Sequence, residues 1–259
     1  MLIKESFAEY RLKAQQNLSS HALADFRKSP RLYQMKKSGL IEDEDRPAYV
    51  IGRAAHTMIL EGRSKYDAEY IIGGPINEKT GKPFGIATKA FAEWQAMQTK
   101  EVISFEQDEL IRTMADSVMS HKLIFQAIQV GTAEAVIRET MCGIPCQSRL
   151  DFFNETHGTV DLKTCDDLSF FEVDARRYGY IYQLAFYREM MKIESGHEHP
   201  VHLIGVEKKP PYRCGIWKIS NDSLDVAASE NKEAINRLKK CIGANDWPTG
   251  YEDLRVFSL

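Results

Sequence analysis

Between Gly131 and Thr164 the chain reads as three short alternating segments, "AEAVIRET", "IPCQSRLDFF" and "HGTVDLKT". Turn material separates them at Gly143-Ile144-Pro145 and at Asn154 to Gly158. Apolar residues at every second position lie on one face of a strand, and short strands joined by tight turns pair antiparallel. The stretch therefore predicts a three-stranded meander. A meander with an apolar face must be covered, so the remaining residues are constrained to supply helices that pack on it.

They carry the signals to do so. Residues 20–38 predict helix, broken at Pro30. "AYVIGRAAHTMILEG", residues 48–62, predicts a second helix, with Ile51, Ala55, Met58 and Ile59 near helical spacing and Gly62 as its stop. "GGPINEKTGKPFG" reads as a charged, mobile loop, and "KAFAEWQAMQ" and "SFEQDELIRTMADSVMSHKLIFQAI" as two further helices. In the latter, Ser104 and Gln107 have the spacing of a capping box. After the meander come one helix over 171–193, a hairpin with Pro210-Pro211 at its tip, and a closing helix. The expected architecture is an α/β layer on one small mixed sheet.

With 259 residues and 43% hydrophobic content, one large domain or two small ones can bury a core. A net charge of −3 carries no strongly basic balance, although a local basic groove is compatible with it. Five scattered cysteines form no disulfide framework and fit a reducing compartment. There is no run of about 18 apolar residues to cross a membrane, and the first twenty residues lack the apolar core of a secretion signal. A cytoplasmic protein is expected.

The charged residues of the meander give the chemistry. Asp151 precedes Asp161 by ten residues, and Lys163 follows two later, on the same strand face as Asp161. Two hard oxygen donors suit Mg²⁺, with Mn²⁺ as the alternative. A lysine beside such an ion orients or activates water, or stabilises charge on phosphate, which is the chemistry of phosphodiester hydrolysis. The plain alternative is a solvated hairpin with charged outer faces. Cys142 and Cys146 lack the second pair that a zinc knuckle or cluster ladder needs, and His197, His199 and His202 read as loop histidines.

These residues resemble the PD-(D/E)xK nucleases, in their RecB-like branch. "GRAAH", ending in His56, is similar to that branch's G-x-x-x-H element, and Tyr180-x-x-Gln183-x-x-x-Tyr187 to its Q-x-x-x-Y motif. Glu134 resembles the acidic residue often found on the first strand of the meander, while Leu150 stands where the nominal proline would be. The resemblance covers residues 20 to 253, and the element order looks most like the exonuclease VIII (RecE-type) nucleases.

That resemblance implies a restriction-endonuclease-like core, a small mixed β-sheet flanked by helices, in a single nuclease domain over 1–259. Residues 1–130 would be mostly helical and carry His56, and residues 131–259 would form the sheet core. Asp151, Asp161, Lys163, Gln183 and Glu134 would be catalytic; His56, Asp151, Asp161 and the Leu162 carbonyl would hold Mg²⁺ or Mn²⁺. Arg149, Arg176, Arg177 and Tyr187 would contact DNA, with Lys208-Lys209 as further phosphate contacts. The implied activity is Mg²⁺-dependent, processive 5′-to-3′ exonucleolytic degradation of linear double-stranded DNA. It would leave 3′ single-stranded tails for phage-type recombination with a RecT-type single-strand annealing protein, from a homotetrameric ring. The alternatives are an endonuclease of the same fold and a catalytically inactive DNA-binding or assembly module.

Overall fold

The computed structural model describes residues 2–42 and 47–256. Its first third is helical: α1 (Phe7–Lys13), α2 (Ser20–Lys28), α3 (Pro30–Lys37) and α4 (Pro47–His56). Ser29 caps α3 by accepting from Leu32 N, and Pro30 sits at its first turn, where the missing N–H costs nothing. α4 does not simply run to Gly62. From Thr57 to Glu61 it widens into a π-helical turn, an irregularity that re-aims the residues around it.

Then follow α5 (Arg63–Glu69), β1 (Tyr70–Ile72), β2 (Ile76–Asn77), β3 (Lys82–Pro83), α6 (Lys89–Ala96) and β4 (Glu101–Ile103). The segment expected as a plain loop thus holds a small β2–β3 hairpin, because Gly81 takes the left-handed conformation that closes so short a turn. β1 and β4 pair in parallel, a pairing too short to leave a periodic signal. The expected single helix over 104–128 is two, α7 (Phe105–Ser120) and α8 (Lys122–Ile128). Extended His121 breaks it and caps the second piece, its Nδ1 accepting from Ile124 N. The Ser104–Gln107 capping box is formed.

β5 (Thr132–Met141), β6 (Ile144–Asn154) and β7 (Gly158–Cys165) form the meander. The helix expected over 171–193 is also two, α9 (Phe171–Arg177) and α10 (Tyr180–Ser195), because Gly179 between them is left-handed at φ +71°. β8 (Val201–Glu207) returns parallel to β7, β9 (Cys214–Lys218) pairs antiparallel with β8, and α11 (Asn221–Ala244) closes the fold. The main sheet has the order β5-β6-β7-β8-β9.

Alternation along the strands divides the core into two layers. Ile137, Leu150 and Leu203 pack with α2, α10 and α11 on one face. Val160, Leu162, Ile204 and Val206 pack with α4, α7 and α8 on the other. Fully buried side chains such as Phe26, Ile137, Leu150 and Phe186 each contribute about 2 kcal/mol of apolar burial. No helix among the described residues is long and apolar enough to cross a membrane.

Candidate metal centre

The sheet is forked. β6 pairs with β5 along nearly its whole length, and β7 pairs with β8 from Thr159 to Cys165. Between β6 and β7, however, the ladder runs only from Asn154↔Gly158 to Phe152↔Val160 and then stops. The next residues on the two strands are Asp151 and Asp161. Asp151 lies within β6, which stays paired to β5 on both sides of it. The Leu162 N–H, which no β6 carbonyl meets there, donates instead to Asp151 Oδ2 at 2.9 Å. A carboxylate thus satisfies the backbone where the strands diverge.

Both helical layers reach into this gap. From α4, His56 Nδ1 approaches Asp151 Oδ2 to 3.5 Å. From α10, Gln183 Nε2 lies 3.5 Å from Asp161 Oδ1 and donates to the Tyr187 hydroxyl at 2.7 Å. Lys163 Nζ is 2.5 Å from Asp161 Oδ2, and Asp161 is fully buried.

Glu134 enters through a backbone irregularity. It has φ +54° near the start of β5, a conformation that a non-glycine residue adopts at a cost of about 1 kcal/mol or more. Its neighbours Ala133 and Ala135 stay in register with Phe152 and Leu150. Ligand atoms of His56, Glu134 and Asp151 consequently lie within 4.8 Å of one another.

Electrostatics test whether these groups suit a cation. Burial, reinforced by the Asp151 carboxylate, pushes Glu134 up to about 8 despite Arg149 beside it. The same two causes push Asp161 up to about 7 against the pull of Lys163. Burial lowers the His56 imidazole, which favours the neutral form that binds metals. Burial would also lower the Lys163 ammonium, but Asp161 and Asp151 outweigh it and hold it above its ordinary value. The cluster has more buried negative charge than Lys163 and Arg149 neutralise, and its donors are hard oxygens with one imidazole. That set fits Mg²⁺ or Mn²⁺.

A pH-dependent stability follows. A carboxyl whose folded pKa is raised favours the folded state in its protonated form. It costs nothing below the unfolded pKa, and its penalty grows until the folded pKa, here between about 4 and about 8. A dication relieves that penalty but must displace the protons at low pH. About 10 mM Mg²⁺ is therefore expected to raise the thermal midpoint by about 3 °C near pH 8 and by less than about 1 °C near pH 5. Equal shifts at both pH values, measured by differential scanning fluorimetry, would remove these carboxylates from cation binding.

Of the residues expected to touch DNA, two are turned inward. Tyr187 is only 4% exposed and holds Gln183 rather than facing solvent. Arg149 lies 2.5 Å from Glu134 through Nε, with its guanidinium 5.1 Å from the Phe7 ring. The cause is β5–β6 pairing, which sets Arg149 across from Val136 beside the bent Glu134 backbone. The covering by Phe7 was missed in the sequence, because α1 reaches this edge only through the Ile3↔Val136 bridge. Arg176 and Arg177 are exposed, and Lys208 and Lys209 flank Asp166.

A forked mixed sheet with an acidic residue on one prong, Asp-x-Lys on the other and helices on both faces defines the PD-(D/E)xK nuclease fold. Residues 19–257 match the family model described as "PDDEXK-like domain of unknown function (DUF3799)", and the chain belongs to that family. Among solved structures it is similar to one described as "Putative exonuclease" from Eubacterium rectale. The two share 13% identity at a TM-score of 0.71, over 99% of this chain and 96% of the other. No curated protein sequence matches the chain.

Proposed function

We propose that this protein is a divalent-cation-dependent exodeoxyribonuclease acting on linear duplex DNA, in a single nuclease domain spanning 1–259. The observation that supports it most is the convergence of His56, Glu134, Asp151, Asp161 and Lys163 at the strand fork. His56, Asp151, Asp161 and the Leu162 carbonyl would hold the ion, with Glu134 beside them. When bound, Mg²⁺ supplies Lewis-acid polarisation of a phosphate and acidifies water.

The chain's own residues then divide the work. The charged Lys163 ammonium offsets negative charge that builds on the phosphate oxygens and orients the attacking water. Gln183, steadied by Tyr187, holds the Asp161 carboxylate in place. Exposed Arg176 and Arg177 are the phosphate contacts. Resemblance to the exonuclease VIII type carries the finer reading: processive 5′-to-3′ digestion, a homotetrameric ring and a single-strand annealing partner.

Digestion of matched linear and covalently closed circular duplex in Mg²⁺, Ca²⁺ and EDTA tests the core of this. Loss of the linear form alone, in Mg²⁺ alone, is the expected result. Cutting of the circle would make the protein an endonuclease, and no cutting of either form would leave a DNA-binding module. Duplexes labelled separately at each 5′ end then read the polarity.

A further inference from the structure

The break between α9 and α10 has a consequence at the surface. In a continuous helix, residues two apart point to different sides. Left-handed Gly179 instead brings the rings of Tyr178 and Tyr180 together, with centroids 5.9 Å apart and planes inclined by 30°. On the buried side, Lys163 Nζ lies 5.3 Å from the centroid of the Tyr180 ring. The Arg177 guanidinium lies 5.8 Å from the Tyr178 ring centroid. Arg177 forms no ion pair among the described residues.

Exposure rises along this series. Asp161 is fully buried, Lys163 and Tyr180 are half-buried, Tyr178 is 62% exposed and Arg177 is exposed. The result is a track of aromatic faces and cations leading from the fork to solvent. An aromatic side chain 62% exposed on a short turn gains little for the fold, since most of its surface meets water. A nucleobase offers what fits it: a flat π-face for Tyr178 and a phosphate for Arg177, whatever the base. Inside a duplex both faces of a pair are covered by its neighbours and only the outer face of a terminal pair is open, so an unpaired base, open on both faces, suits the track best.

We propose that Tyr178 and Tyr180, flanked by Arg177, form a stacking step that holds an unpaired base of the DNA strand leaving or entering the fork. The substrate class then narrows to duplex ends that are frayed or carry a single-stranded tail. This rests on the nuclease reading for its substrate, but it concerns binding and is tested apart from cleavage.

The experiment is equilibrium binding of fluorescent DNA to the full-length protein in Ca²⁺, with the DNA checked for integrity afterwards. The probes are a blunt duplex, the same duplex with a short thymidine tail, and the tailed duplex with abasic residues in the tail. Wild type is expected to bind the thymidine tail about tenfold more tightly than the abasic tail. Tyr178→Ala is expected to erase that ratio, and Tyr178→Phe to keep it, with thermal midpoints unchanged because the side chain is exposed. Retention of the ratio in Tyr178→Ala, its absence in wild type, or its loss in Tyr178→Phe would each overturn the proposal. Mg²⁺-dependent digestion is scored separately on the wild type. A tail preference that depends on Tyr178 in a protein that never cleaves sinks the nuclease reading alone; cleavage without tail preference sinks the stacking step alone.

Discussion

Asp151→Asn is expected to lower Mg²⁺-dependent hydrolysis of linear duplex DNA by about 10³-fold, or about 4 kcal/mol in the barrier. The side chain sits where three elements meet: it accepts from Leu162 N on β7, faces His56 on α4, and shares ligand distance with Glu134 on β5. Asparagine keeps an oxygen that can accept the Leu162 N–H, so the fork should stay formed. It also removes a charge that raises Glu134 and Asp161. The thermal midpoint in EDTA is accordingly expected to stay within about 3 °C of wild type. Single-turnover digestion at matched Mg²⁺ checks the rate. Retention of more than about a tenth of wild-type activity, about 1.4 kcal/mol, would take Asp151 out of the metal centre.

The largest effect on stability is expected at Gly158→Ala. Gly158 has φ +66°, and a Cβ there would lie 2.0 Å from the Pro200 carbonyl oxygen. Backbone meets side chain at this point, so no rotamer change relieves the overlap. The same carbonyl accepts from Thr159 N at 3.1 Å, at the first step of the parallel β7–β8 ladder. Making room means parting the two central strands. We expect a loss of about 4 kcal/mol, or about 10 °C in thermal midpoint. Gly143→Ala is the control. Gly143 is also left-handed, at φ +78°, but its Cβ would meet only the far end of a long side chain, Lys239 Nζ at 3.4 Å. It should cost only the left-handed strain, about 1–2 kcal/mol. Equal losses in the two variants would show that Pro200 does not matter.

Much of this architecture is legible in the residues themselves. The β5–β7 meander, the β8–β9 hairpin and the Ser104 capping box follow from period, turn residues and side-chain spacing, all of which act within a few positions. The helix breaks at His121 and Gly179 were not legible. Both interrupt apolar patterns that continue on either side, and the breaks depend on local backbone conformations that periodicity averages over. The parallel β1–β4 pair joins three-residue strands whose partners are some thirty residues apart.

The centre divides the same way. Asp161 and Lys163 share a face because strand geometry requires it, and resemblance pointed to His56, Gln183 and Glu134. Tyr187 and Arg149 were expected at DNA. Packing turned one onto Gln183 and the other onto Glu134.

Patterning along the chain sets the order of elements, the alternation that sends Asp161 and Lys163 to one side of β7 and Leu162 to the other, and the supply of carboxylates. It takes the packed fold to part β6 and β7 at the two aspartates, to bend Glu134 into a left-handed backbone that reaches them, and to bring helices from opposite faces together in the opening. Alternation depends on neighbouring residues along the chain. A fork depends on which third strand each prong pairs with, and that competition is settled by contacts distant in sequence.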